Sequence, residues 1–266
     1  MHTLSAFIEG IGLIGPGINT WPEGCAILRG EVAYIPHKTH YPQPMLLPPT
    51  ERRRTGPVVK LALAVGLEAA GAAGLIPEHL PTVFASSGGD TLNCHVLCET
   101  LASTDRHISP TRFHNSVTNA PAGYWSIATG SMAPSTVLCG YDASFGAGLL
   151  DALTQLTVDA TTCALIAYDI NYPEPLHSAR PLPDGFGIAL VFSKRRSERS
   201  VARIEAELSY DAPSHLSASA LEHLRLAIPA ARSLPLLHHL ACGSAGILVI
   251  DYLTPLNIKL VVTPCS

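Results

Sequence analysis

The segment from residue 113 to residue 152 constrains the fold most strongly, because it reads as helix, turn, strand, sharp turn and helix. Residues 135–140 are apolar and partly β-branched, which predicts a strand covered on both faces. Residues 145–156 are rich in Ala, Gly and Leu, which predicts a buried helix. The sharp turn between them carries Asp142. Turns of this kind hold the nucleophile in many enzymes, because they expose a side chain beside a helix N-terminus.

Strands and helices alternate along the rest of the chain, which predicts a layered α/β fold with a mixed sheet. Asp90 is expected to cap its helix, and residues 32–49 form a long loop without periodicity. The predicted strands are residues 7–17, 81–86, 162–170, 187–193 and 201–210, followed by a closing hairpin of residues 246–253 and 257–262. The predicted helices are residues 21–28, 52–75, 90–101 and 216–231.

The composition fits one sizeable core, with 47% hydrophobic and only 14% charged residues among 266. So little charge suggests that part of the surface is buried against another subunit, although an Ala-rich α/β protein can simply be apolar. The net charge is −4, and no basic run is interleaved with aromatic residues, so nucleic acid is not an expected partner. No apolar run is long enough to span a membrane, and we expect a soluble, cytoplasmic protein without membrane insertion.

The seven cysteines show no paired CxxC spacing, which predicts reduced and mostly buried thiols. Cys94 and Cys98 lie one helical turn apart with His95 between them, an arrangement that resembles part of a metal site. No fourth ligand is spaced to complete it, so buried thiols are favoured over metal. We therefore expect neither a metal nor a cofactor.

Residues 119–142 carry a family resemblance. They contain N-x-x-A-G at residues 119–123, then Ser126-Ile127, Gly130, Pro134 and a strand that runs into the turn. This order resembles the β-ketoacyl synthases, the condensing enzymes of the thiolase fold. In a working synthase the turn holds the acyl-accepting cysteine. Ungapped counting places Asp142 at that position, whereas Cys139 lies three residues earlier, within the strand.

The resemblance extends over roughly residues 5–210, through residues 7–17, 52–74, 81–90 and 191–210. It implies an α/β, thiolase-like layered fold with a mixed sheet, and a single domain spanning residues 1–266. Residues 1–210 would match the N-terminal half of a synthase, and residues 211–266 would form an abbreviated C-terminal part. The two histidine segments of a synthase, which stabilise oxyanions, are missing. The histidines that remain, His215, His223, His238 and His239, do not match either segment.

A synthase-like sequence that lacks the catalytic residues is typical of chain length factors, the degenerate subunits that pair with an active ketosynthase. The amino-acid sequence of residues 114–128 and 140–152 resembles that of the short partner subunit of aryl polyene biosynthesis. The resemblance implies a non-catalytic subunit in a heterodimer with a ketosynthase, which elongates an acyl chain carried on acyl carrier protein. The inactive subunit would shape the acyl tunnel.

Large side chains among many Ala and Gly residues are the candidates for the tunnel wall, although ordinary packing is an equally good explanation for any one of them. The candidates are His114, Asn119, Tyr124, Trp125 and Phe145, with Phe145 as the most direct plug. Arg52, Arg53 and Arg54 are candidates for contact with the acidic carrier protein. Asp142 is expected to cap a helix rather than to act as a general base, since no partner is recognisable.

Two rival functions remain open from the sequence. The first is a self-sufficient acyltransferase or condensing enzyme that uses Cys139 or Ser144 as nucleophile; the Gly-x-Ser-x-Gly elbow is absent. The second is a module that binds acyl carrier protein without influencing chain length. Residues 87–90 resemble a phosphate cradle only loosely, because they lack a Walker lysine, and a tight turn is favoured.

Overall fold

One mixed sheet of eight strands organises the molecule in the computed structural model, which describes residues 3–158 and 160–265. The strand order is β3-β2-β4-β5-β1-β6-β8-β7 once the strands are numbered along the chain. The strands are β1 (Leu4–Ile14), β2 (Thr82–Ala85), β3 (Ser135–Leu138), β4 (Thr162–Asp169), β5 (Phe186–Ser193), β6 (Ala202–Ser209), β7 (Gly246–Ile250) and β8 (Asn257–Pro264). Strand β2 pairs in parallel with β3 and β4, and the remaining pairs are antiparallel. The predicted mixed sheet is confirmed.

Helices cover both faces of the sheet and create two apolar cores, which confirms the layered architecture. The first core packs α3 and α6 against one face, and the second packs α1, α7, α9 and α10 against the other. The helices are α1 (Trp21–Leu28), α2 (Pro49–Arg52), α3 (Pro57–Ala73), α4 (Thr91–Ala102), α5 (Pro110–Asn115), α6 (Ala120–Thr129), α7 (Ser144–Val158), α8 (Leu176–Ala179), α9 (Ser219–Ala227) and α10 (Leu234–Cys242). None of the helices in these described ranges is long and apolar enough to cross a membrane.

The close approach of α3 to β1 explains the alternating glycines of the first strand. A Cβ atom at Gly12 would lie 2.1 Å from the carbonyl oxygen of Val65, and one at Gly10 would lie 2.1 Å from that of Ala69. Only glycine therefore fits at either position. Glu68 of α3 fastens the end of the strand, because its carboxylate accepts hydrogen bonds from the backbone N–H of Leu13 (3.0 Å) and Trp21 (2.7 Å).

Most sequence-predicted elements are confirmed, including α1, the Asp90 cap of α4, the buried strands β4 and β5, and the hairpin of β7 and β8. Residues 32–48 contain no helix or strand, as expected for the loop. Helix α10 was missed, because Pro235 in its first turn interrupts the apolar pattern. The described C-terminal part contributes α9, α10, β7 and β8, and these strands extend the same sheet.

Two expectations about burial are wrong. Strand β3 is not a fully buried strand: Ser135 at its start is exposed and the three residues after it are half-buried, and β3 is the edge strand of the sheet. An apolar run has the same appearance whether it has one neighbouring strand or two, so the pattern did not reveal the edge. The cysteines are free, and Cys163 is the buried one among them, whereas Cys94 and Cys98 are exposed because α4 lies on the surface with little cover.

Candidate functional site

The turn after β3 is held in shape by the hydroxyl of Ser144. This hydroxyl donates to the carbonyl oxygen of Tyr141 (2.7 Å) and accepts a hydrogen bond from the N–H of Gly140 (3.0 Å). Tyr141 has a φ of 52°, in the left-handed region, and it is the non-glycine residue with a positive φ among the described residues. Bulky side chains rarely adopt this conformation, and such strain concentrates at functional sites. The turn therefore has a strained backbone of the kind that is common at functional sites.

Asp142 stands at the apex of this turn and is bound by two arginines. One carboxylate oxygen contacts Nη2 of Arg180, and the other lies 3.2 Å from Nη2 of Arg232. The expected helix cap is wrong: α7 begins only at Ser144, and within the described ranges the carboxylate is bonded to arginines rather than to backbone N–H groups. Sequence reasoning missed both arginines, because each lies far from Asp142 along the chain.

Arg180 joins the turn to the neighbouring strands. It lies after α8, and its guanidinium carbon stacks 3.6 Å from the centroid of the Tyr141 ring. Its Nη1 donates to the hydroxyl of Tyr172 at 3.1 Å, and that hydroxyl lies 3.1 Å from Oγ of Ser87 in the turn after β2. The cation–π contact and these hydrogen bonds fix the guanidinium independently of Asp142.

Arg232 extends the network into the C-terminal part of the chain. Its Nη1 lies 3.7 Å from Asp251, and Asp251 accepts a 2.6 Å hydrogen bond from Nη1 of Arg225. Arg225 is only 1% exposed and also donates to Glu222 at 2.8 Å. The hydrogen bond from Arg225 lowers the pKa of Glu222 to about 2. Charges of opposite sign thus alternate along a chain that connects the nucleophile turn to α9.

A second carboxylate, that of Asp169, lies fully buried at the end of β4. Its oxygens accept hydrogen bonds from the N–H of Ser87 and the N–H of Ala230, each at 2.8 Å. Burial raises the pKa of Asp169 from its ordinary value of 3.8 to about 6, and the hydrogen bonds oppose this rise only in part. Asp169 links the turn after β2 to the C-terminal segment, which is a structural role.

Neither rival nucleophile is activated by the described residues. Cys139 is exposed, but partial desolvation and then the charge of Asp169 raise the pKa of its thiol, which opposes formation of the thiolate that acyl transfer needs. The hydroxyl of Ser144 is 1% exposed and already engaged in the turn. His215 lies at the far end of the charge network, 3.0 Å from Glu222, rather than beside the turn.

The candidate wall residues do not lie together. Trp125 packs in the α3 core, 6.3 Å from Phe84 between ring centroids, and Phe145 packs in the core on the other face. The remaining candidates, His114, Asn119 and Tyr124, line a surface cleft of about 400 Å³. Their role in a tunnel stays a prediction.

Asn115, which the sequence analysis did not identify, is hydrogen-bonded to a residue that lines this cleft. It is buried, accepts a hydrogen bond from the Tyr124 hydroxyl (3.1 Å) and donates to the carbonyl oxygen of Arg54 (2.7 Å). It therefore joins α6 to the segment before α3. An isolated asparagine in a helical stretch carries no pattern from which this role could have been predicted.

The three consecutive arginines serve different purposes. Arg52 turns inward and donates to the carbonyl oxygens of Met45 (3.1 Å) and Leu47 (3.0 Å). Arg53 and Arg54 are exposed and line a cleft of about 370 Å³ together with Arg112 of α5. Two of the three are therefore exposed to solvent, and Arg54 also forms an ion pair with Glu51 at 3.0 Å.

The layered sheet and the strand–turn–helix site define a protein with a thiolase-like fold. The chain matches the family model of the β-ketoacyl synthase N-terminal domain over residues 29–246. It belongs to the β-ketoacyl synthase family. A comparison with curated proteins finds no match.

Solved structures share this fold along the whole chain. A chain from the complex of ketosynthase ApeO with its chain length factor ApeC, from Xenorhabdus doucetiae, is 20% identical with a TM-score of 0.74, covering 97% of this chain and 99% of that one. A chain from the ishigamide ketosynthase/chain length factor is 15% identical with a TM-score of 0.74, covering 98% and 100%. A chain from the AntDE:AntF complex, a type II polyketide ketosynthase with its acyl carrier protein, is 12% identical with a TM-score of 0.76, covering 99% and 100%.

Replacing Asp169 by Asn should change how stability depends on pH. The folded state keeps the Asp169 proton up to about pH 6, whereas the unfolded state releases it near its ordinary pKa of 3.8. Folding is therefore favoured at the acidic end, and this contribution declines as pH rises. We expect the stability of the native chain relative to Asp169→Asn to fall by roughly 2 kcal/mol between pH 4 and pH 7. Urea unfolding at several pH values measures this difference, and a constant difference would contradict the burial argument.

Proposed function

We propose that this chain is a non-catalytic, chain length factor-like subunit. It pairs with an active ketosynthase in the cytoplasm and shapes the tunnel that receives the growing acyl chain. The observation that carries this proposal is the carboxylate of Asp142, held by two arginines at the turn where a synthase has its acyl-accepting cysteine. The resemblance of residues 114–128 and 140–152 to the short partner subunit of aryl polyene biosynthesis supports a polyene-type product.

The chemistry of the turn favours this proposal over a self-sufficient acyltransferase. A carboxylate paired with arginines is a poor nucleophile toward a thioester. The thiol of Cys139 has a raised pKa, and the hydroxyl of Ser144 is buried within the turn. The solved structures of similar fold include ketosynthase–chain length factor complexes, which supports a ketosynthase as the partner.

The open edge of β3 supports a partner subunit at this side of the sheet. Carbonyl oxygens of Pro134 and Leu138 accept hydrogen bonds from β2. Because backbone direction alternates along a strand, the N–H and C=O groups of Ser135 and Val137 point away from the sheet. Strand β3 carries no charged residue, so charge does not oppose pairing, although the strand is only four residues long and follows Pro134. Its outward-facing backbone groups are therefore available to another subunit.

Exposed apolar side chains on neighbouring elements enlarge this surface. Phe113, Val117 and Ile127 are 64%, 48% and 49% exposed around the cleft formed by α5 and α6, and Met132 before β3 is 95% exposed. A patch of this kind marks an interaction site more often than a solvated surface. We propose that the ketosynthase covers it and the β3 edge together.

The lining of the cleft supports a role for two candidate wall residues at this proposed interface. His114 and Asn119 are exposed and would face the partner, whereas Tyr124 is buried beneath them and would act through packing. Trp125 and Phe145 would act only through packing, because each is buried in its own core.

Ile127→Asp should weaken binding to the ketosynthase, because a carboxylate would be buried in an apolar interface. We expect a roughly 10- to 100-fold increase in the dissociation constant. Ile247→Asp is the matched control, since Ile247 is 61% exposed on β7 at the opposite edge of the sheet. Co-expression with the ketosynthase, followed by co-purification and titration of the pure subunits, measures the effect. A native chain that stays monomeric with the ketosynthase, or equal effects of both variants, would contradict the proposed interface.

Acyl carrier protein is the second proposed partner. Arg53, Arg54 and Arg112 line a cleft together with the N-terminus of α3, which has no side-chain cap, so that three cations outnumber the one carboxylate of the lining, Asp90. Guanidinium groups beside a helix N-terminus attract anions, and the carrier protein is acidic. We propose that this cleft contacts the carrier while it delivers acyl groups to the ketosynthase.

Arg112→Glu should reduce the affinity of the assembled pair for acyl carrier protein several-fold, and more strongly at low salt. Arg195→Glu is the control, because Arg195 is exposed beyond the other end of α3, a helix of 17 residues and roughly 25 Å. Titration of the carrier at two salt concentrations measures both variants. Equal losses would show that the cleft is not the contact, and unchanged product length in a tunnel-wall variant would favour a simple carrier-binding module.

A further inference from the structure

We propose that Arg180 and Arg232 form a carboxylate-binding site that the chain fills with its own Asp142. Each arginine binds a different oxygen of the same carboxylate. This is the arrangement by which arginine pairs recognise external carboxylates. Binding of the carboxylate follows from this geometry alone and does not depend on the identity of the partner subunit.

Both guanidinium groups are positioned by contacts other than Asp142. Arg180 is stacked on the Tyr141 ring and bonded to the Tyr172 hydroxyl, and Arg232 lies beside Asp251. Removal of the Asp142 carboxylate would therefore leave the two arginines close to their present positions. A preorganised site of this kind binds its ligand without a large cost for ordering side chains.

Asp142 is the carboxylate that contacts both arginines of the site directly. Asp251 and Glu222 pair with the guanidiniums further along the network, and the buried carboxylate of Asp169 acts on Arg180 from a longer distance. Both arginines of the site are mostly buried, with side chains 17% and 18% exposed. Without Asp142, both arginines would lose their direct contact with a carboxylate in a poorly solvated place, which is costly, because Asp169 and Asp251 compensate their charges only from a longer distance.

The site is also open enough for a small anion to enter. The side chain of Asp142 is 42% exposed, so solvent reaches the carboxylate from outside. A truncated residue 142 would leave a space of about one carboxylate next to two guanidiniums. We infer that acetate or formate would occupy this space, whereas in the native chain Asp142 keeps external carboxylates out of the turn.

The occupied site also joins the two parts of the chain. Arg180 belongs to the connection between β4 and β5, and Arg232 belongs to the turn Pro229–Ser233 of the C-terminal part. Asp142 binds both, so the abbreviated C-terminal part is docked on the nucleophile turn by ion pairs.

Chemical rescue tests this proposal. Asp142→Ala should lower the thermal unfolding midpoint, and sodium acetate at pH 7 should restore about half of the loss or more, with a logarithmic dependence on concentration. Sodium chloride at equal ionic strength should restore less. The native chain should not respond specifically to acetate, because its site is occupied.

Two further variants make the test specific. Asp142→Ala combined with Arg180→Gln should lose the rescue, because one of the two donors is gone. Glu205→Ala should not respond to acetate, because its ion pair with Arg203 is exposed and involves no second arginine. If Asp142→Ala does not fold, Asp142→Ser takes its place in the same titration. Equal responses of the native chain and the variant to acetate, or a variant as stable as the native chain, would overturn the proposal.

Discussion

The ion pairs of Asp142 with Arg180 and Arg232 are the interaction on which the arrangement of the site depends. They connect the turn after β3, the connection after β4 and the C-terminal segment, which come from distant parts of the sequence. Ion pairs such as these, with mostly buried arginines and a half-exposed carboxylate, contribute little net stability, but their geometry is specific. The two ion pairs therefore determine which segments meet at the turn. They also hold a carboxylate, which is a poor acyl acceptor, at its apex.

The close packing of the sheet and α3 supports this arrangement from below. Gly10 and Gly12 allow the helix backbone to approach β1, and Trp125 fits against α3 at Gly66, where a Cβ atom would lie 2.8 Å from the indole ring. The thiolase-like fold is thus complete beneath a turn that carries a carboxylate at its apex. Under the proposed function, the outward-facing backbone of β3 is where the ketosynthase would pair.

The sequence predicted those features that depend on local patterns. Continuous apolar runs identified β4 and β5, and a strand followed by Gly140 and a small-residue helix identified the turn. Features decided by distant contacts were not predictable. No residue close to Asp142 in the sequence indicates Arg180 or Arg232. The apolar run of β3 does not show whether the strand has one neighbouring strand or two. Cys94 and Cys98 are exposed because few residues pack over α4. The spacing of residues in the sequence does not reveal this.

The central claim is that the acyl chain is never attached to this subunit. Intact-mass measurement of both chains, after the assembled pair is incubated with an acyl thioester of the carrier protein, tests it most directly. The account predicts a covalent acyl adduct on the ketosynthase and an unchanged mass for this chain. An acyl adduct on Cys139 or Ser144 of this chain would contradict it.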